Sequence, residues 1–68
     1  MFNLYDEIIV KQDVKYNDIL IKKGTIGTIV EILKNKDGVT YYIVELSNDE
    51  NEIYVYDFEE NQITKANN

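Results

Sequence analysis

Hydrophobic and polar residues alternate along much of the chain with the period of two that β-strands require. In residues 25–34 one face of the expected strand is formed by Ile26, Thr28, Val30 and Ile32. In residues 39–46 the face expected to point into the core holds Tyr42, Val44 and Leu46. Apolar residues nowhere keep the three-and-four spacing of a helix over more than two turns. The pattern therefore predicts an all-β fold and excludes a helical bundle.

Turn signals divide the chain into five expected strands, which lie at residues 6–12, 25–34, 39–46, 52–58 and 63–65. The polar stretch at residues 13–24 predicts a long, folded-back connection after the first strand. Asp37-Gly38 is a strong signal for a tight hairpin, residues 47–51 form the next turn, and residues 59–62 predict a single helical turn. This order predicts one domain, residues 1–68, built as a small five-stranded SH3-like barrel with a helical turn before its last strand.

The chain contains only three glycines, and two of them fall in the stretch KKGTIGTIVEI. A phosphate-binding loop needs glycines that lead into a helix N-terminus, followed by a Lys-Ser/Thr pair. Here the glycines lead into a strand, so the pattern predicts structural turns instead. We expect Gly24 and Gly38 to turn the chain, Gly24 with a positive φ, and Gly27 to let its strand bend beneath a neighbouring backbone or aromatic ring.

The sequence offers few groups for catalysis or metal binding. Cysteine and histidine are both absent, which removes thiolate ligands and the commonest general base. Residues 49–52, DENE, lack the central glycine and distal glutamate of a calcium loop. Glu59 and Glu60 are adjacent instead of facing each other, so a capping role in the helical turn suits them better than acid–base chemistry. We expect no catalytic residue, no cofactor and no metal ion, and therefore no enzyme.

Charge is distributed very unevenly along the chain. Residues 1–36 hold five acids and six lysines, a net charge of +1, whereas residues 37–68 hold eight acids and one lysine, a net charge of −7. Such a field repels nucleic acid and anionic lipid and attracts a basic protein. The alternative is that the acidic surface only keeps a small protein soluble.

The tyrosine-rich strand at residues 52–58 is the main candidate for a partner surface. If Ile53 and Val55 face inward, Tyr54 and Tyr56 point outward. Exposed aromatic side chains with a charged rim usually mark a binding site for another protein. We therefore predict partner-binding residues at Tyr41, Glu45, Glu52, Tyr54, Tyr56 and Asp57.

The neighbouring strands extend this candidate surface. If Val44 and Leu46 face inward, Ile43 points outward together with Ile29, and Glu31 adds to the acidic rim. An alternative stays open, because one strand of a tightly coiled barrel serves two sheets. In that case some of these side chains pack beneath the long connection, Ile29 and Ile43 more readily than Tyr54 and Tyr56.

Four segments resemble a family of short bacterial proteins that is defined as a domain of unknown function, with the pattern LYDxVV, KKGxxGTVVE and YxVEF. The matching segments are LYDEIIV at residues 4–10, IKKGTIGTIVEI at residues 21–32, YIVEL at residues 42–46 and FxxxQI at residues 58–63. The resemblance implies an SH3-like barrel, and some members of the family are thought to be immunity proteins that neutralise bacterial toxins. It implies no catalytic residues. The chain departs from the pattern at residues 52–58, which are more aromatic.

These observations predict a non-enzymatic, acidic protein-binding module, most specifically an immunity protein that occludes a basic toxin such as a nuclease. A nucleic-acid- or ribosome-associated barrel is the alternative, but arginine is absent and the lysine group is small: Lys22, Lys23, Lys34 and Lys36. An accessory subunit of a larger complex is a further alternative. Residues 1–12 match neither a signal peptide nor a membrane span, so we expect a cytoplasmic protein without nucleic-acid or membrane partners, as a monomer or weak dimer.

Overall fold

A computed structural model describes residues 1–47 and 50–66 of the chain. Its elements are β1 (Glu7–Val10), β2 (Val14–Tyr16), β3 (Ile19–Ile21), β4 (Ile26–Lys34), β5 (Thr40–Ser47), β6 (Ile53–Glu59), a 3₁₀ turn (Glu60–Gln62) and β7 (Ile63–Lys65). The all-β prediction is confirmed, and each of the five predicted strands is present. The predicted turn at residues 47–51 includes residues 48 and 49, which lie outside the described part of the chain.

The five predicted strands form one antiparallel sheet in the order β6-β5-β4-β1-β7. The sheet buries side chains from every strand in a single core, which also includes side chains of β2 and β3. Its two edge strands, β6 and β7, are not paired with each other among the described residues. The sheet is therefore not closed, and the predicted SH3-like barrel is not confirmed.

The long connection after β1 is a two-stranded hairpin formed by β2 and β3. Val14 pairs with Ile21 in this hairpin, and both are buried in the core. Asn17 turns the chain with φ = 52°, a conformation that asparagine tolerates better than most residues. The prediction of a folded-back connection is thus correct, although strands of three residues were too short for the sequence pattern to show.

A bulge in β4 changes which side chains face the core. The pairing of β4 with β5 shifts between Ile29 and Glu31, which leaves Val30 as the extra residue. Before the bulge, Gly27 and Ile29 lie on the core side, and Ile26 is 53% exposed. The predicted face of Ile26, Thr28, Val30 and Ile32 is therefore wrong, because a bulge reverses the alternation part-way along a strand.

Among residues 1–47 and 50–66, the core is formed by ten apolar side chains drawn from all seven strands: Ile8, Val10, Val14, Ile21, Ile29, Tyr42, Val44, Leu46, Phe58 and Ile63. The predicted core face of β5, with Tyr42, Val44 and Leu46, is confirmed. Phe2 packs against this core, and its ring meets Tyr42 edge-to-face with 5.3 Å between the ring centroids.

Gly24 and Gly38 lie in turns, as the sequence predicts, and Gly27 has a close neighbour on β5. Gly24 and Gly38 turn the chain with φ of 95° and 84°. Gly27 pairs with Leu46 of β5, and an added Cβ would come within 2.5 Å of side-chain atoms of Val44 and Leu46 and within 2.9 Å of the Glu45 carbonyl oxygen. The close neighbour predicted for Gly27 is therefore a backbone with its aliphatic side chains, not an aromatic ring.

The predicted helical turn is a 3₁₀ turn whose first residue follows Glu59. The Glu59 N–H donates to Gln62 Oε1 at 2.8 Å, the arrangement of a capping box. The capping role predicted for this part of the chain is thus confirmed for Glu59.

Candidate functional site

The candidate site is the outer face of the five-stranded sheet, the side turned away from the core. Residues that pair across antiparallel strands share a face, so the pairing defines its rows. One row runs from Glu7 through Thr28 and Glu45 to Val55. The next rows are Glu31, Ile43 and Asp57, and then Leu33, Tyr41 and Glu59.

Every charged side chain among the described strand residues of this outer face is a carboxylate. The five are Glu7, Glu31, Glu45, Asp57 and Glu59. The two lysines of the sheet, Lys34 and Lys65, occupy the opposite register, where they pair with Thr40 and Ile8. We call this surface the acidic face. A surface with charges of a single sign attracts cations and repels anions over several ångströms.

Exposed apolar side chains lie between these carboxylates. Leu33 is 46% exposed and Val55 is 53% exposed, while Tyr41 and Ile43 are half-buried. These four residues line a shallow concavity of 330 Å³ together with Tyr56 and Asp57. An apolar centre with a charged rim has the layout of a protein-binding patch.

The six predicted binding residues do not share one surface. Tyr41, Glu45 and Asp57 lie on the acidic face, but the pairing places Tyr54 opposite Leu46 and Tyr56 opposite Val44, on the core side. The sixth residue, Glu52, precedes β6, and its Oε1 accepts a hydrogen bond from the Tyr54 hydroxyl at 2.8 Å. The single predicted surface is thus divided between two sides of the sheet.

The orientation predicted for β6 is wrong. Ile53 is 63% exposed and Val55 also faces solvent, whereas both had been expected inside. Ile29, expected outside, is fully buried, which agrees with the alternative left open for it, and Ile43 stays on the outer face. The set with Ile53 and Val55 also contains Asp57 and Glu59, which belong in solvent, whereas the aromatic set lies inward, where Tyr16 of the hairpin packs against Tyr56.

Three tyrosines form a stacked ladder that joins the hairpin to β6. Tyr16 stacks on Tyr56 with 4.8 Å between ring centroids, and Tyr54 stacks on Tyr56 at 6.4 Å. The Tyr16 ring also meets Phe58 edge-to-face at 5.8 Å, and its hydroxyl donates to the Asp57 carbonyl oxygen. The ladder therefore holds the β2–β3 hairpin against the edge of the sheet.

The neutral phenols of Tyr16 and Tyr54 are stabilised by their surroundings, so that both pKa values are raised. Burial, with smaller effects from Asp57 and Tyr56, raises the pKa of Tyr16 to about 12. The hydrogen bond to Glu52 is the main cause that raises the pKa of Tyr54. A phenol whose pKa is raised by folding stabilises the fold below its unfolded pKa of 10.0, and that contribution is lost as the pH rises through about 12.

We expect Tyr16→Phe to lower the free energy of unfolding by about 1 kcal/mol below pH 10, because it removes the hydrogen bond to Asp57 but keeps the ring. The difference between wild type and variant should shrink as the pH approaches 12, where the wild-type phenol ionises. Urea unfolding of both proteins across this range measures the difference directly. The lysines and the other tyrosines are common to both proteins and cancel in the comparison. A difference in the free energy of unfolding that stays constant with pH would therefore contradict the raised pKa of Tyr16.

A second concave region lies between the hairpin and the end of the sheet. It is an open groove of 560 Å³, lined by Asp18, Ile19, Leu20, Ile21, Lys22, Thr25, Leu46, Ser47 and Tyr54. Ile19 and Leu20 are exposed there. This groove has no signal in the sequence, because the hairpin that forms one wall consists of strands of only three residues each.

The lysines do not form one basic patch. Lys22 and Lys23 lie in the connection between β3 and β4, whereas Lys34 ends β4 and Lys36 lies in the following turn. β4 has nine residues and spans about 30 Å, so the two pairs lie at opposite ends of a long strand. The clustered cationic surface that contact with nucleic-acid phosphates needs is therefore not formed by these four residues.

In residues 1–47 and 50–66, no three acidic side chains are grouped so that they could hold a metal ion. Within the same residues, no helix has the length and hydrophobicity needed to cross a membrane. The chain matches no protein-family model, no curated protein and no solved structure.

Proposed function

We propose that this protein is a non-enzymatic binding module whose acidic face takes a basic protein partner. The observation that carries the proposal is the composition of that face: its charged side chains are all carboxylates, and they surround exposed apolar residues. Carboxylates in this arrangement select lysine- and arginine-rich surfaces and accelerate their association. The apolar centre provides the area that stabilises the complex once it has formed.

The residues of the acidic face divide into two roles. Tyr41 and Val55, with Leu33, are the apolar contacts that a partner covers. Glu45 and Asp57 flank them and supply the charge that orients the partner. Tyr54 and Tyr56, which belong to the ladder, position the hairpin and β6 and are not assigned as direct contacts.

The partner class that this face fits best is a basic bacterial toxin, which makes the protein an immunity protein. Many toxins are nucleases whose substrate clefts are cationic, and a small acidic domain inhibits them by occluding the cleft. The sequence resemblance to a family with immunity members supports the same conclusion, as does the net charge of −6. This role places the protein in the cytoplasm, where such toxins act.

We also infer that the sheet is an open variant of the SH3-like barrel. The order of its elements supports this relationship: a short strand, a long connection, three antiparallel strands, a 3₁₀ turn and a closing strand. The hairpin β2–β3 occupies the long connection and extends the core beyond the five strands.

The immunity role is tested by the neighbouring gene and by co-expression. We expect the adjacent open reading frame to end in a basic toxin domain, and wild-type protein to restore growth of cells that express it. The Glu45→Lys/Asp57→Lys variant should fail to protect, because it places cations at the centre of the acidic face. The toxin domain should also lose at least about a hundredfold in affinity, as expected when two oppositely charged contacts become repulsive.

A matched control separates this effect from net charge. Asp18→Lys/Asp37→Lys changes the charge by the same amount at two exposed turn positions outside the acidic face, and it should still protect. Equal protection by both variants would contradict the proposed surface. A neighbouring gene without a toxin domain, or salt-dependent binding of DNA or RNA by the purified protein, would overturn the immunity role in favour of an accessory subunit or a nucleic-acid-associated protein.

A further inference from the structure

The edge strand β6 carries backbone groups that point out of the sheet. In an antiparallel sheet, the N–H and C=O of one residue point to the same side, and the side alternates along the strand. The alternation is set at the β4–β5 turn, where the Asn35 N–H donates to the Val39 carbonyl oxygen at 3.0 Å. The backbone groups of Val39 therefore point toward β4. Every second residue after Val39 does the same, so the groups of Tyr41 and Ile43 also point toward β4, whereas those of Val44 point toward β6.

The same alternation then applies to β6. Val44 pairs with Tyr56, so the backbone groups of Tyr56 bond to β5. The groups of the adjacent residues, Val55 and Asp57, therefore point away from β5. Since β6 is the last strand in the sheet order, they point beyond its edge.

Two hydrogen bonds agree with this assignment and show where the edge is already occupied. The Tyr16 hydroxyl donates to the carbonyl oxygen of Asp57, and the N–H of Glu59 donates to Gln62. Both bonds engage outward-pointing groups of the second half of β6. In the first half, no hydrogen bond to the outward groups of Val55 is seen among the described residues.

The charge around this edge selects what can pair with it. Residues 37–64 contain eight acids and no lysine. A second copy of the chain would bring two such edges together, and the repulsion between their carboxylates opposes that pairing. An extended segment with basic side chains has complementary charge, and its backbone supplies the missing hydrogen bonds.

We propose that the basic partner binds by adding a strand to the first half of the β6 edge. This inference rests on the proposed function and specifies how the acidic face is used. The added strand bonds to the outward N–H and C=O of Val55, and its alternate side chains lie beside Asp57 on the acidic face. Tyr16 and Gln62 block the second half of the edge and so fix where the strand ends.

The test uses a short synthetic peptide that alternates lysine and valine, with a glutamate–valine peptide as the control. We expect the lysine peptide to bind wild-type protein in a salt-dependent manner and the glutamate peptide not to bind. Val55→Pro removes an outward N–H without removing a bond to β5, so proline is tolerated there. Its affinity for the lysine peptide should be at least about tenfold lower than that of Val55→Thr, which keeps the N–H.

Amide hydrogen exchange of the wild-type protein gives a second test that needs no variant. Peptide binding should slow exchange of the Val55 amide by about tenfold or more, while the Tyr56 amide is already protected by β5. Suppose that binding depends on Glu45 and Asp57, but that Val55→Pro binds as well as Val55→Thr and the Val55 amide stays unprotected. Strand addition would then be wrong, while the proposal that the acidic face binds a basic partner would stand. If the lysine peptide does not bind at all, both proposals fail.

Discussion

Gly27→Ala should lower the free energy of unfolding by about 3 kcal/mol, the upper end of what overpacking a core costs. The added Cβ would meet the Glu45 carbonyl oxygen at 2.9 Å as well as the side chains of Val44 and Leu46. A side chain can rotate away, but the carbonyl belongs to the paired strand and moves only if β4 and β5 separate. A domain of this size has a total stability of only about 3–10 kcal/mol, so the loss is a large fraction of it.

Chemical denaturation of Gly27→Ala beside Gly24→Ala measures this effect. Gly24 has φ = 95° and nothing within 4 Å of the added Cβ, so its substitution strains the backbone without a clash. We expect a loss of about 1–2 kcal/mol for Gly24→Ala, smaller than the loss for Gly27→Ala. The reverse order would show that the contact between β4 and β5 is not what requires glycine at residue 27.

Phe58→Ala should cost about 3–5 kcal/mol and leave much of the protein unfolded at room temperature. Phe58 is fully buried and is one of the largest such side chains in the chain. It also meets the ring of Tyr16 edge-to-face, so its removal leaves a cavity and loosens the hairpin.

Ile53→Ala on the same strand is the control for Phe58→Ala. Ile53 is mostly exposed, and its truncation should change stability by less than about 0.5 kcal/mol. Thermal unfolding followed by circular dichroism distinguishes the two variants. Similar losses for both would mean that β6 does not bury its aromatic face as the pairing with β5 requires.

The sequence predicted the elements of this fold better than their orientation. Strong turn residues such as Gly38 separate the strands, and these separations are local properties that the sequence displays. The bulge at Val30 leaves no local signal, because Ile29 and Val30 are both β-branched and either of them could face the core. Regular alternation through this region places Ile29 on the outer face, whereas the structure buries it, since one extra residue exchanges the two faces of a strand.

For the candidate site, too, the sequence shows the charge of a segment more directly than the direction in which its side chains point. Glu45 and Asp57 belong to the acidic part of the sequence after residue 36, and the sheet brings them together on one face. The orientation of β6 does have a local signal, because Asp57 and Glu59 follow Val55 at every second position and mark its side as the solvent face. Contact with Tyr16, a residue far away in the sequence, holds the aromatic set on the core side.

The most direct test of the central claim maps where a basic ligand contacts the protein. Methyl resonances of the wild-type protein would be recorded by NMR during titration with the lysine–valine peptide. We expect the largest shifts at Ile43 and Val55 on the acidic face, and only small shifts at Ile19 and Leu20 in the hairpin groove. Shifts confined to Ile19 and Leu20, or no shifts at saturating peptide, would contradict the account.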